Sequence, residues 1–356
     1  MQPFVYDALP ARVIFGAGTL AQVADEVRAL KCSRALVLAT PQQEHEARAL
    51  KERLGDLCVG VHAHAVMHTP VAVTEAALEV VRALRADCTI ALGGGSTTGL
   101  GKAIALRTDL PQIVIPTTYA GSEATPILGE TRDGLKTTVR DLKVLPEIII
   151  YDVDLTLTLP PRLTATSGLN AIAHSVEGLY ARDASPVTRL IAEDGIRALA
   201  SALPRIMAAP GDVEARSDAL YGAWACGAVL GAVGMALHHK LCHTLGGTFD
   251  LPHAETHAVV LPHAAAYNAP AAPEAMARAA RALGVKDAPL GLYDLGATLG
   301  APTSLKEIGM PEDGLDRAAD LAVANPYWNP RPIERTAIRA LLDDAYHGRP
   351  PGGGGR

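Results

Sequence analysis

The sequence predicts two domains of different class, an α/β domain over residues 1–159 and an all-α domain over residues 160–348, followed by a short tail at 349–356. Three observations predict this. Strand-like and helix-like runs alternate through the first half. Those strands are apolar throughout. After Pro160-Pro161 the β-branched runs stop, and long Ala- and Leu-rich stretches with helical period take over. A chain of 356 residues also exceeds the roughly 250–300 that one core sustains.

In order along the chain, residues 12–15 form a short apolar run closed by Gly16-Ala17-Gly18, and residues 19–30 have helical spacing. Residues 35–39 (ALVLA) read as a buried strand, 44–54 as a helix, and 59–66 as extended. Residues 74–85 place Ala77, Leu78, Val81 and Leu84 on one helical face. A strand at 88–92 is stopped by Gly93-Gly94-Gly95, and further strands follow at 112–115 and 148–151. Apolar strands alternating with helices belong to a parallel sheet covered on both faces. In the second half, helices are expected at 163–182, 186–202, 213–233, 235–245 and 273–283. The tail RPPGGGGR is of low complexity and is expected to lack structure.

Composition excludes several classes. With 49% hydrophobic and 20% charged residues the chain is an ordinary globular protein. A net charge of -6 offers no basic stripe for nucleic acid, and it means that an anionic substrate must be held by local cations. Five scattered cysteines without a CxxC pair argue against a disulfide framework and for a reducing compartment. With no signal-peptide pattern and no apolar run of about 20 residues, the expectation is a cytoplasmic protein without membrane contact.

Two groups of residues carry chemistry. Gly93-Gly94-Gly95-Ser96 follows a strand and precedes a helix expected to start near Thr97. Glycines let a backbone approach a pyrophosphate, and the helix N-terminus adds free N–H groups. Ser96 could cap that helix or bond a phosphate; the alternative is a plain tight turn. Thr117 and Thr118 follow the strand at 112–115, where hydroxyls suit phosphate or ribose. The second group is richer. Five of the 12 histidines lie in MALHHKLCHTLGGTFDLPHAETHAVVLP. His239 and His243 are spaced i, i+4, as are Asn170 and His174 on an earlier helix, and His253 follows in an expected loop. Such a set can bind a divalent metal or serve as general acids. His238 and His257 read as ordinary surface or hydrogen-bonded residues.

GGGS after a strand, PTTYAGSE, Asn170 with His174, and HxxxH followed by PH together resemble the iron-containing alcohol dehydrogenase superfamily over nearly the whole chain. Within it, GGGSTTGLGKAIAL, PTTYAGSEATPI, the histidine block and NPYWNPRPI are similar to the maleylacetate reductase branch. The resemblance implies a dehydroquinate synthase-like fold with an NAD(P)-binding α/β domain, a helical catalytic domain and a homodimer. It implies cofactor contacts at Thr40, Gly93, Gly94, Gly95, Ser96, Thr117, Thr118, Ser122 and Lys136. It places the catalytic histidines at His243, His253, His239 and His174, and contacts to a dicarboxylate substrate at Lys240, Arg331, Tyr327 and Asn170.

Two departures matter. The metal-dependent members use one Asp and three His, which here correspond to Asn170, His174, His239 and His253. The amide is a weaker, neutral donor, so no tightly bound catalytic metal is expected. The family's GGGSxxD pattern has Gly99 in place of Asp. Thr40 stands where an Asp often selects NAD over NADP, so use of both NADH and NADPH is expected. The competing readings are a metal-dependent alcohol or aldehyde oxidoreductase of the same superfamily, and a non-catalytic dinucleotide-binding regulator.

Overall fold

The computed structural model describes residues 4–132 and 135–352, and of residues 135 and 136 the backbone only. Two compact units emerge, one spanning Leu9–Leu159, the other running from Pro160 onward together with the residues up to Ala8.

The first unit holds strands β1 (Arg12–Gly16), β2 (Ala35–Leu38), β3 (Cys58–His62), β4 (Cys88–Gly93), β5 (Gln112–Pro116), β6 (Ile127–Arg132), β7 (Leu135–Arg140) and β8 (Ile148–Asp152). Its helices are α1 (Val23–Ala29), α2 (Glu44–Leu54), α3 (Val71–Leu84) and α4 (Gly95–Thr108). Six strands pair in parallel in the order β1-β8-β5-β4-β2-β3. Side chains alternate across the sheet, so β2 feeds two cores. Ala35 and Val37 pack with Val23, Val27, Leu50 and Ile90, while Leu36 and Leu38 pack with Leu78, Val81, Leu100 and Ile104. The chain leaves β2 toward β3 but leaves β4 toward β5. The crevice beyond the carboxyl ends of β2 and β4 is therefore the topological switch point, where open α/β sheets bind ligands.

The antiparallel pair β6–β7 is not in the sequence reading. Both runs are short and rich in polar residues, which weakens the apolar signal. The Asp133-Gly134 dipeptide between them was the available turn signal.

The second unit is helical: α5 (Pro161–Tyr180), α6 (Pro186–Ala208), α7 (Val213–Ala232), α8 (Leu237–Phe249), α9 (His253–Asn268), α10 (Pro273–Leu283), α11 (Ala288–Thr298), α12 (Leu315–Ala324) and α13 (Arg335–His347). Helix α5 is buried on all sides from Thr164 to Tyr180, so every polar residue in it must find a partner inside. A reciprocal Ser185–Thr188 capping box starts α6. Two expectations change here. Gly246-Gly247 does not break α8, which runs on to Phe249 and ends at Asp250 in the left-handed region, φ 53°. His253 is not in a loop; it opens α9, with Pro252 before it. Arg349, expected in a structureless tail, pairs with Asp343 at 2.7 Å and Asp344 at 3.1 Å, and residues 353–356 lie outside the described residues. Among the described residues no single helix is long and apolar enough to cross a membrane.

Candidate active site

The first unit gathers its predicted cofactor residues at the switch point. Thr40 follows β2, Gly93 ends β4, and Thr117 follows β5. Gln43, which sequence reasoning missed, ties these strand ends together. Its Nε2 donates to Thr117 Oγ1 at 3.0 Å, and its Oε1 lies 3.5 Å from Thr40 Oγ1. Helix α4 begins at Gly95 with Gly94 as its cap, so Ser96 lies in the first turn and caps nothing. A Cβ on Gly93 (φ +149°) would stand 2.5 Å from Thr97 Oγ1, and one on Gly94 2.9 Å from Thr118 Cγ2. The backbone thus passes where only glycine fits. Ser122 Oγ and Thr97 Oγ1 are buried without a partner. Unfilled hydroxyls, a glycine cradle and an open helix N-terminus are what a dinucleotide phosphate needs. Lys136 lies on β7 opposite Thr131, and its side chain is outside the described residues.

Lys102 shapes this loop from below. It is fully buried, and its Nζ donates to Ser122 O (2.6 Å), Thr125 O (2.7 Å), Thr125 Oγ1 (2.9 Å) and Ile127 O (2.9 Å). Burial pushes its pKa down to about 7, while Glu123 pulls it up. Gly99 has a local cause as well: a Cβ there would overlap Thr69 Oγ1. Gly99→Asp is therefore expected to lower stability by about 1–3 kcal/mol, through overpacking, in a urea titration.

In the second unit the histidines converge on one carboxylate. Asn170, His174 and Glu177 recur at helical spacing on α5. Glu177 is fully buried and sits at the N-terminus of α8. There it accepts the backbone N–H of Ala236 (2.8 Å), His238 (2.7 Å) and His239 (3.4 Å), and His239 Nδ1–H at 2.7 Å. Burial pushes the Glu177 pKa up, but His239 and these N–H groups outweigh it and hold the carboxyl below its usual range. The ionised carboxylate fixes the tautomers outward. With His239 neutral, its Nε2 accepts from His174 Nδ1–H at 2.9 Å. Sequence reasoning missed Glu177, although its place one turn after His174 was a usable signal.

His174, His239, His238 and His257 are buried; His243 and His253 are only half-buried, as a substrate would require. His243 Nδ1 lies 2.9 Å from Tyr327 Oη. Burial, then Glu177, raises the Tyr327 pKa, so the phenol keeps its proton. Lys240 Nζ lies 5.9 Å from the Tyr327 ring centroid and, among the described residues, makes no ion pair. Arg331 is elsewhere engaged. Its guanidinium stacks on Tyr267 at 4.2 Å and donates to the Tyr267 carbonyl at 3.0 Å, so the structure gives it to loop anchoring rather than to the histidine group. His257, set aside in the sequence, packs 4.4 Å from His253 and 5.1 Å from His239, ring to ring.

The model for iron-containing alcohol dehydrogenases matches residues 10–153, and that for the Fe-containing alcohol dehydrogenase family, C-terminal, matches residues 164–346. The chain belongs to the iron-containing alcohol dehydrogenase family. It is 62% identical over 348 residues to a maleylacetate reductase of Sphingobium indicum, covering 98% of this chain and 99% of that one. To the maleylacetate reductase of Rhizobium sp. strain MTP-10005 it is 60% identical over 351 residues, covering 99% and 100%. The crystal structure of maleylacetate reductase from Agrobacterium tumefaciens superposes with a TM-score of 0.95 at 62% identity, covering 99% of this chain and 100% of that one. For an iron-containing family the donor set is unusual. Asn170 brings no charge, and the nearby carboxylate of Glu177 is committed to α8 and His239. Such a set offers a divalent ion one negative charge fewer than one Asp and three His would.

Proposed function

We propose that the chain reduces maleylacetate to 3-oxoadipate with NADH or NADPH, without a catalytic metal. The His243–Tyr327 pair beside the uncommitted Lys240 carries this reading. Relatives bearing the name maleylacetate reductase support it.

Maleylacetate has a C=C bond conjugated to a ketone, between two carboxylates. A bound reduced nicotinamide supplies the hydride, to the alkene carbon β to the ketone. Charge then develops on the ketone oxygen as an enolate, and the adjacent carbon takes a proton, so C=C becomes CH–CH. Tyr327 can donate its O–H to His243 Nδ1, which leaves the His243 proton on Nε2, ready to be given. His253 is the second half-open donor and suits the enolate oxygen. His174 and His239, locked by Glu177, wall the pocket, with Asn170 beside them as a neutral polar contact. Lys240 supplies a cation for a substrate carboxylate. Thr40, Gly93 to Ser96, Thr117, Thr118 and Ser122 hold the dinucleotide. No acid stands at Thr40 to repel a 2′-phosphate, so both cofactors should serve; a preference beyond roughly a thousandfold, about 4 kcal/mol, would contradict this.

The test is loss of reduced-nicotinamide absorbance with fresh maleylacetate, before and after exhaustive EDTA dialysis. Turnover that survives chelation is expected. Turnover that dies and returns with Fe²⁺ or Zn²⁺ would favour the metal-dependent reading, and oxidation of simple alcohols alone would overturn the substrate. Tyr327→Phe should lower kcat about 10-fold or more by freeing the His243 tautomer, with the KM for the dinucleotide unchanged.

A further inference from the structure

Beside the catalytic histidines, the second unit buries a cluster that the proposed reaction does not use. His238 and Cys242 are spaced i, i+4 on α8, and His257 lies one turn into α9. The packing of α8 on α9 brings them together. His238 Nε2 stands 2.9 Å from His257 Nδ1 and 3.7 Å from Cys242 Sγ, and one ligand atom from each residue falls within 4.8 Å of the other two. All three side chains are buried. In a tetrahedral shell with Zn–S about 2.3 Å and Zn–N about 2.0–2.1 Å, neighbouring S and N ligands lie about 3.6 Å apart, and two N ligands about 3.4 Å. The two contacts of His238 lie within about half an ångström of these values, and Cys242 and His257, within 4.8 Å of each other, need to close by at most about 1.2 Å.

The protonation states also suit. Both rings are buried, and each has one nitrogen facing into the cluster and one facing away. The atoms facing away, His238 Nδ1 and His257 Nε2, have no hydrogen-bond partner and can each carry the ring proton while the inward nitrogens ligate. The proton now shared between the two rings moves to the outward nitrogen of its own ring. The only proton lost is that of the Cys242 thiol, and nothing is oxidised or reduced. The buried Glu177 carboxylate, which accepts the His238 backbone N–H at 2.7 Å, partly balances the remaining positive charge. Two imidazoles and a thiolate select soft or borderline cations over Mg²⁺ and Ca²⁺.

We propose that His238, Cys242 and His257 form a buried site for a thiophilic transition-metal ion such as Zn²⁺, distinct from the set Asn170, His174, His239 and His253. This goes beyond the reductase reading and does not depend on it.

Cobalt tests it. The full-length protein, stripped of metal and held reduced with a non-thiol reductant, would be titrated with Co²⁺. One equivalent should bind with a thiolate-to-cobalt charge-transfer band and tetrahedral d–d absorption, releasing one proton. The band should vanish in Cys242→Ser and persist in His174→Ala. Binding without the band, or binding lost in His174→Ala but kept in Cys242→Ser, would place the ion on the family-type set and overturn the proposal. A band that survives Cys242→Ser would place it at the other thiol cluster, Cys32 with Cys88, with the same consequence. If Cys242→Ser does not fold by circular dichroism, Cys32→Ser decides: a band kept there supports the site, and a band lost there, or absent from the wild type, overturns it.

Discussion

Glu177→Gln is expected to lose about 3–5 kcal/mol of stability and to lower kcat by about 100-fold or more. The carboxylate accepts three backbone N–H groups at the start of α8 as well as His239 Nδ1–H, with no exposure to water. An amide keeps one acceptor oxygen but turns an NH₂ toward donors, so buried N–H groups face one another. His239 then has no reason to keep its proton on Nδ1, and the bond to His174 loses its defined direction. The pH dependence separates this from a packing defect. The folded Glu177 pKa lies below the usual carboxylate range, so its contribution is complete above about 4.3 and is lost as pH falls through the folded value. The wild-type advantage in denaturant titrations should therefore shrink in acid. An advantage that stays constant down to the folded value would mean that the charge is not what stabilises α8.

Lys102→Met should have the second-largest effect, about 2–4 kcal/mol of stability and a rise of roughly 10-fold in the KM for NADH, with less change in kcat. Methionine fills much the same volume but takes the Lys102 donor from the buried carbonyls of Thr125 and Ile127, while Ser122 O keeps Thr125 Oγ1–H (2.9 Å) and Thr125 N–H (3.3 Å). The turn that carries Ser122 then loses its anchor. Again the linkage has a sign. The folded pKa of about 7 is below the roughly 10.4 of an unfolded lysine, so between these values the unfolded chain binds more protons. Wild-type stability relative to Lys102→Met should rise as pH climbs from about 7 toward 10. Urea midpoints across that range, together with dinucleotide KM values, check both parts. An unchanged KM would remove Lys102 from cofactor binding.

Much of this was legible in the residues. Helix α2 stands at the residues its period predicts, because an amphipathic run bounded by a glycine has few alternatives. That His239 and His243 share one face of α8, and Asn170 and His174 one face of α5, was legible because i, i+4 spacing survives any tertiary arrangement. What failed depended on distant packing. Glu177 acts on α8 across 59 residues of sequence, and its place one turn after His174 marks a shared face but not the helix it will cap. His238 and His257 gain meaning only when α8 and α9 meet. Gln43 bridges strand ends that are far apart in the chain. The stacking of Arg331 on Tyr267 was not legible either, because a motif gives a residue's type but not the ring it will pack on.

The close approach of Thr69 to Gly99 constrains how this sequence can drift. Thr69 holds a left-handed backbone (φ 45°), is buried, and accepts the Thr131 N–H at 3.2 Å. Its hydroxyl occupies the volume that a side chain at position 99 would need. The family's aspartate cannot return here by a single step without a clash. A lineage would first have to trade Thr69 for glycine or another small residue, and only then could position 99 accept a larger one. The two sites, 30 residues apart in sequence, should therefore vary together among relatives, and the order of substitutions should be readable in their ancestry.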